Sequence, residues 1–207
     1  MTTDTPDPGS SRWLDPETLS HHVRDRRVLV GISGGIAVYK VCTVVSRLAQ
    51  AGANVTVLMT TPATRFVTPL TFQALSGNPV YTTMWEHVES NDPQHIALAD
   101  RTDVALVAPC TMDFMASLAF GRANNVVTLV LSAIDRSTTP VILAPSMNEV
   151  MWNQPATRRN LAQLGEDGFS MVDPGSGWQA CRHVGTGRMA EPEQLCEAVC
   201  SALAQKS

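Results

Sequence analysis

The apolar positions of the chain fall into short dense runs, separated by longer stretches in which apolar residues recur every three or four places. Val28-Leu29-Val30-Gly31-Ile32 is apolar and β-branched almost throughout and closes on Ser33-Gly34-Gly35. An unbroken run of this length predicts a strand covered on both faces, as in a parallel sheet, because a half-exposed strand alternates. Residues 36–50 then carry apolar side chains at helical spacing and stop at Gly52, a residue suited to ending a helix. The same grammar repeats along the chain. It predicts strands at 55–59, 104–109 and 141–145, and helical stretches over 66–75, 112–119, 126–133 and 155–164. A shorter strand at 169–172 and a closing helix over 191–204 complete the series.

Strands alternating with helices in this way predict an α/β domain over residues 26–207, a three-layer Rossmann-like (flavodoxin-like) arrangement around a mainly parallel sheet. Two segments break the rhythm. Residues 1–25 read as a hydrophilic extension with a short helix after Asp15-Pro16. Residues 173–191 form a long Gly-rich stretch, and loops of that length in a compact domain are functional or disordered.

With 207 residues, 44% of them hydrophobic and 16% charged, the chain can bury one substantial core. A net charge of −4 argues against a nucleic-acid partner, which calls for a basic face. No apolar run reaches the length of a membrane span, and residues 1–11 are polar, so neither a membrane anchor nor a signal peptide is expected. The five cysteines are odd in number and contain no CxxC, which points to a reducing compartment and a cytoplasmic location. Positive charge is nearly all arginine, the two lysines being Lys40 and Lys206.

Ser33-Gly34-Gly35 lies where the first strand meets the first helix, at the carboxyl end of the sheet, the place at which open α/β folds bind ligands. Converging amides and a helix N-terminus suit a phosphate there, and the same residues equally make a plain tight turn. The glycines at 31, 34 and 35 fit neither GxGxxG nor GxxxxGK[ST], which excludes the usual dinucleotide and nucleotide loops. Thr60 and Thr61 fall on the same rim, as ligands or as helix caps. After the 141–145 strand comes Pro145-Ser146-Met147-Asn148-Glu149-Val150-Met151-Trp152. Its Asn148 can cap a helix, or can hold a carboxylate or amide through its own amide.

That segment matches PxMNxxMW, and on it the chain resembles the flavin-containing cysteine decarboxylases. VLVGISGGIAVYK from Val28 to Lys40, the TPLTFQALSGNPV stretch from Thr68, and His95-Ile96-Ala97-Leu98 resemble other family segments in order and spacing. Ala180-Cys181, followed by Gly185-x-Gly187-Arg188-Met189-Ala190-Glu191, resembles the substrate clamp of the phosphopantothenoylcysteine decarboxylases. The likeness spans residues 27–200. It implies an FMN-dependent carboxy-lyase that converts 4'-phospho-N-pantothenoylcysteine to 4'-phosphopantetheine in coenzyme A biosynthesis, through thioaldehyde and enethiol intermediates. No metal is implied.

On this resemblance His95 serves the oxidative half, an imidazole being suited to proton transfer near neutral pH, although a structural histidine at a helix start is the plain alternative. Asn148, with Met147 and Arg188, binds substrate, and Cys181 donates a proton in the reductive half from a lid over 173–191. Ser33, Gly34, Gly35, Ile36, Thr60 and Thr61 fall to FMN, together with Thr111, Met112, Asp113 and Phe114. Met112 and Phe114 depart from the family's PASANT or PATAD pattern. Cys110 reads as a small apolar filler. Arg182 replaces the family's usual Gly and either stiffens the lid or offers charge to the substrate phosphate. The family also implies a trimer or a dodecamer of trimers. Because the sequence ends 16 residues after Glu191, a separate phosphopantothenoylcysteine synthetase is expected. Two rival readings within the fold are a peptidyl-cysteine decarboxylase of peptide maturation and a non-catalytic flavin-binding regulatory subunit.

Overall fold

The computed structural model describes residues 14–85, 93–178, 180 and 182–205. Four apolar runs become the central strands of a six-stranded sheet: β1 (Arg27–Ile32), β2 (Asn54–Met59), β4 (Val104–Cys110) and β5 (Val141–Pro145). Two-residue strands β3 (Val80–Tyr81) and β6 (Ser170–Met171) form its edges, and all neighbours run parallel in the order β3-β2-β1-β4-β5-β6. Without the short β3 the order is that of flavodoxin-like folds.

Side chains alternate along each strand, so a parallel sheet must be covered twice. Val28, Val30 and Ile32 enter a core closed by α1 (Pro16–Val23), α2 (Val38–Gln50), α3 (Pro69–Ser76) and α9 (Pro192–Ala204). Leu29, Ala105, Val107 and Leu143 face the other core, closed by α4 (Gln94–Asp100), α5 (Met112–Ala119), α6 (Val126–Ala133) and α8 (Pro155–Glu166). Three layers result. Gly31 belongs to the second face, where a Cβ would stand 2.6 Å from Val127 Cγ1, so a side chain there would push α6 off the strand.

Several expectations are corrected by local chemistry. The short helix expected after Asp15-Pro16 is present as α1, capped by Asp15 Oδ1 accepting from Thr18 N at 2.9 Å, but it packs onto the domain, with Leu19 and Val23 buried in the first core. The helix expected from residue 36 starts at Val38, because residues 35–37 still belong to the turn. The 66–75 stretch is helical only from Pro69: a 3-10 turn, Ala63–Arg65, precedes it, residues 66–68 are not helical, and α3 opens on Pro69 because proline is tolerated at a first helical position and not inside. Helix α8 runs through Gly165 to Glu166, and the reversal falls at Gly168, with φ +87°. The 173–191 stretch is not an open loop. It contains an antiparallel hairpin, β7 (Gly175–Trp178) with β8 (Val184–Arg188). Among the described residues no helix is long and apolar enough to cross a membrane.

Candidate functional site

The chain leaves β1 toward β2 on one side, and β4 lies on the other, so the loops after β1 and β4 part at the carboxyl end of the sheet. Ser33 joins them. Its hydroxyl donates to Pro109 O at 2.6 Å and accepts from Thr111 N at 3.0 Å. The hydroxyl's single proton is thereby committed within the protein, so Ser33 shapes the turn and has no O–H left to give a ligand. Gly34 lets the third loop approach: a Cβ there would lie 2.4 Å from Pro62 Cβ and 3.1 Å from Pro62's carbonyl carbon.

The three loops enclose a cleft of about 610 Å³, within the range of small-molecule sites. Ser33, Gly34, Gly35, Thr60, Thr61 and Thr111 to Phe114 line it, nearly the whole set assigned to the cofactor. Thr60 Oγ1 is buried there with no hydrogen-bond partner among the described residues. Phe114 sends its ring into the second core, which accounts for an apolar residue at that departure from the family pattern. Ser117, Asn124 and Asn125, which also line the cleft, were not singled out from sequence. Asn125 Oδ1 caps α6, accepting from Val127 N and Thr128 N at 3.1 and 3.0 Å. An Asn before a helical run was the available signal.

A second cavity, a groove of about 420 Å³, meets the cleft at Gly35, Ser146 and Met147. Ile36, expected with the cofactor, lines this groove and not the cleft. Met147, Asn148 and Arg188, the residues assigned to substrate, also line it. Asn148 shows the first of its two readings, the helix cap. Its Oδ1 caps the short helix α7 (Glu149–Trp152) by accepting from Met151 N at 2.8 Å, and this leaves the amide's N–H pair as its offer to a ligand.

The hairpin is moored to the same segment. Met147 N donates to Gly187 O at 2.9 Å, and Glu149 Oε1 accepts from Thr186 N at 3.4 Å. At the groove's floor Lys40 is nearly buried, its Nζ 2.9 Å from Glu191 Oε1 and 3.4 Å from Met189 O. Arg188 Nη2 reaches that same Glu191 oxygen at 2.7 Å. Tyr39, Lys40 and Trp178 also line the groove and were not singled out from sequence. Lys40 carried a signal, a rare lysine one turn before Val44 on the buried face of α2.

His95 stands apart. It is the second residue of α4, which descends from the carboxyl rim: Asp103 N, just beyond the helix, donates to Arg27 O at the foot of β1. Helix α4 packs beside α6, so His95 lies on the correct rim but lines neither cavity of its own chain. Cys181 lies outside the described residues. Its neighbour Ala180 lines the groove, and Arg182 takes φ +64°, the left-handed conformation that favours the glycine it replaces. Cys110 is fully buried, as expected of a small apolar filler, and burial pushes its thiol up to about 12.

A doubly wound α/β sheet with a phosphate-suited cleft at its switch point and a substrate-sized groove beside it is the architecture of a flavin-binding class. Residues 16–204 match the Flavoprotein family model, and the chain belongs to that family. It is 46% identical over 173 residues to the coenzyme A biosynthesis bifunctional protein CoaBC of Bacillus subtilis (strain 168), covering 84% of this chain and 42% of that protein. The chain thus spans less than half the length of the curated relatives it matches. Among solved structures it is similar to a PPC decarboxylase mutant complexed with pantothenoylaminoethenethiol, with a TM-score of 0.79, 30% identity and coverage of 89% and 100% of the two chains. It is also similar to the FMN-dependent cysteine decarboxylase SpaF, with a TM-score of 0.75, 30% identity and coverage of 87% and 97%.

Proposed function

We propose that this chain carries an FMN-dependent phosphopantothenoylcysteine decarboxylase activity, forming 4'-phosphopantetheine for coenzyme A. The observation that carries the reading is the meeting of the two cavities at Met147, beside Asn148, on the PxMNxxMW segment. FMN fits the cleft's donor set. The unpartnered Thr60 hydroxyl needs a polar guest, and the turn at Gly34 and Gly35 leads into α2, whose N-terminus favours an anion. When bound, FMN supplies the reversible two-electron chemistry that makes a cysteine-derived carboxylate able to leave.

The protein's own share is placement and proton control. Asn148 orients the substrate through its N–H pair, a neutral donor that does not over-stabilise a carboxylate about to depart. Arg188 contributes charge to the groove. His95 moves the proton of the oxidative half, and Cys181 that of the reductive half. Because His95 lines neither the cleft nor the groove of its own chain, the proposal includes a trimer or a dodecamer of trimers in which copies complete one another's sites. A phosphopantothenoylcysteine synthetase activity supplies the substrate, and the cytoplasm is the proposed location.

The likeness to SpaF supports a second reading, decarboxylation of a peptide's terminal cysteine. One assay separates the two: carbon dioxide release by the FMN-reconstituted protein from 4'-phosphopantothenoylcysteine and from a cysteine-ended peptide. Turnover of the first substrate is expected. Turnover of the peptide alone establishes the second reading, and a protein that cannot be reconstituted with FMN sinks both.

A further inference from the structure

Two large, exposed aromatic side chains line the groove from two different elements. Tyr39, in the first turn of α2, is 60% exposed, and Trp178, on β7 of the hairpin, is 63% exposed. A tryptophan is largely covered in most folded proteins, and here one faces a cavity that a tyrosine also lines. Tyr39 falls within the Val28–Lys40 segment and Trp178 within the 173–191 segment, yet neither side chain has been given a role in the chemistry described above.

The geometry confines what they can meet. A reacting group must sit near Met147, where both cavities are reached, so the rest of its molecule has only the groove in which to lie. The groove's volume of about 420 Å³ accommodates an extended chain, not a folded partner. We propose that Tyr39 and Trp178 are specificity-determining residues that hold the non-reacting acyl arm of the substrate, a run of amides and methyl-bearing carbons, along α2 and the hairpin. This rests on the decarboxylase reading for the identity of the arm. Aromatic faces suit such an arm because they cover its methyl groups and stack on its flat amides, while the tyrosine hydroxyl and the indole N–H remain available to its carbonyls. Trp178 also links arm binding to the hairpin's position, since β8, the strand paired with its own, is moored at Gly187 to Met147 N.

The test uses the FMN-loaded protein and its Trp178→Ala, Trp178→Phe and Tyr39→Ala variants. Calorimetric Kd for 4'-phosphopantetheine, which bears the arm, is compared with that for N-acetylcysteamine, which lacks most of it. Trp178→Ala and Tyr39→Ala should each weaken binding of the arm-bearing compound about tenfold, the size expected for losing an anchoring aromatic. KM should rise in parallel, with kcat and the flavin spectrum unchanged, and Trp178→Phe should recover most of the loss. Binding of the short compound should not change. Equal Kd values in wild type and both alanine variants overturn the proposal, as do equal losses with both compounds or a wild type that does not bind the arm. A wild type that binds the arm in an aromatic-dependent way but releases no carbon dioxide leaves the groove assignment standing and removes the decarboxylase reading.

Discussion

Ser33 and Asn148 both serve the site through hydrogen bonds made inside the protein. The Ser33 oxygen gives its proton to Pro109 O and receives one from Thr111 N, so a single buried atom fixes the spacing of the β1 and β4 loops. Replacing Ser33 by Ala leaves the Thr111 amide without its partner, while Pro109 O keeps the Ser33 backbone N–H at 3.3 Å, a loss of roughly 1–3 kcal/mol by the cost of an unsatisfied buried group. Urea unfolding of Ser33→Ala should show that loss with an unchanged m-value, and cofactor affinity should fall because the loops no longer hold their separation. An unaltered midpoint would remove Ser33 as the staple. The sequence placed Ser33 at the right turn but could not say what it bonds, because its partners lie more than seventy positions away. Asn148 was legible as a cap, which its oxygen makes, and that geometry leaves the amide's N–H pair for the second reading.

At the scale of elements, what could be read ahead was what local patterning dictates. The β-branched runs became strands within a residue or two of their expected limits, because a strand buried on both faces has no polar positions to blur its ends. The 173–191 segment defied the same reading, because its strands carry glycines and polar residues and owe their pairing to docking on the 147–149 segment, a tertiary fact. Gly187 is where that docking is tightest. It has φ +114°, and a Cβ would stand 2.5 Å from Met147 O, so Gly187→Ala combines backbone strain with a clash against main chain. The variant should keep its melting temperature to within a few degrees, since neither core includes residue 187, yet lose its grip on substrate. The expected readout is faster proteolytic cleavage within 173–191 together with a raised KM. Wild-type resistance to the protease would show that the hairpin is held without this contact.

For the molecule as a whole, the order of strands and the separation of His95 from Asn148 were beyond the sequence, which orders elements along the chain and not across a sheet. Cysteine burial, by contrast, was anticipated from helical and strand positions, and it has a global consequence. Burial pushes the thiols of Cys110 and Cys196 up to about 12 and that of Cys200 to about 11, from an ordinary value of 9.0. A raised thiol pKa means that the folded protein keeps a proton that the unfolded chain releases. The stability that these protonated thiols contribute is complete below pH 9 and is lost as pH climbs from there toward 12. Cys110, fully buried on β4, sets the clearest case: alone it can lower stability by up to about 1.4 kcal/mol for each pH unit in that window. Unfolding free energies measured by urea at pH 8, 9, 10 and 10.5 should therefore fall with increasing slope in the wild type. The Cys110→Ala variant starts lower because of the small cavity it leaves, but should fall less steeply above pH 9. Parallel slopes in the two proteins would show that the alkaline loss arises from other groups, and that the Cys110 site admits enough water to ionise the thiol without unfolding.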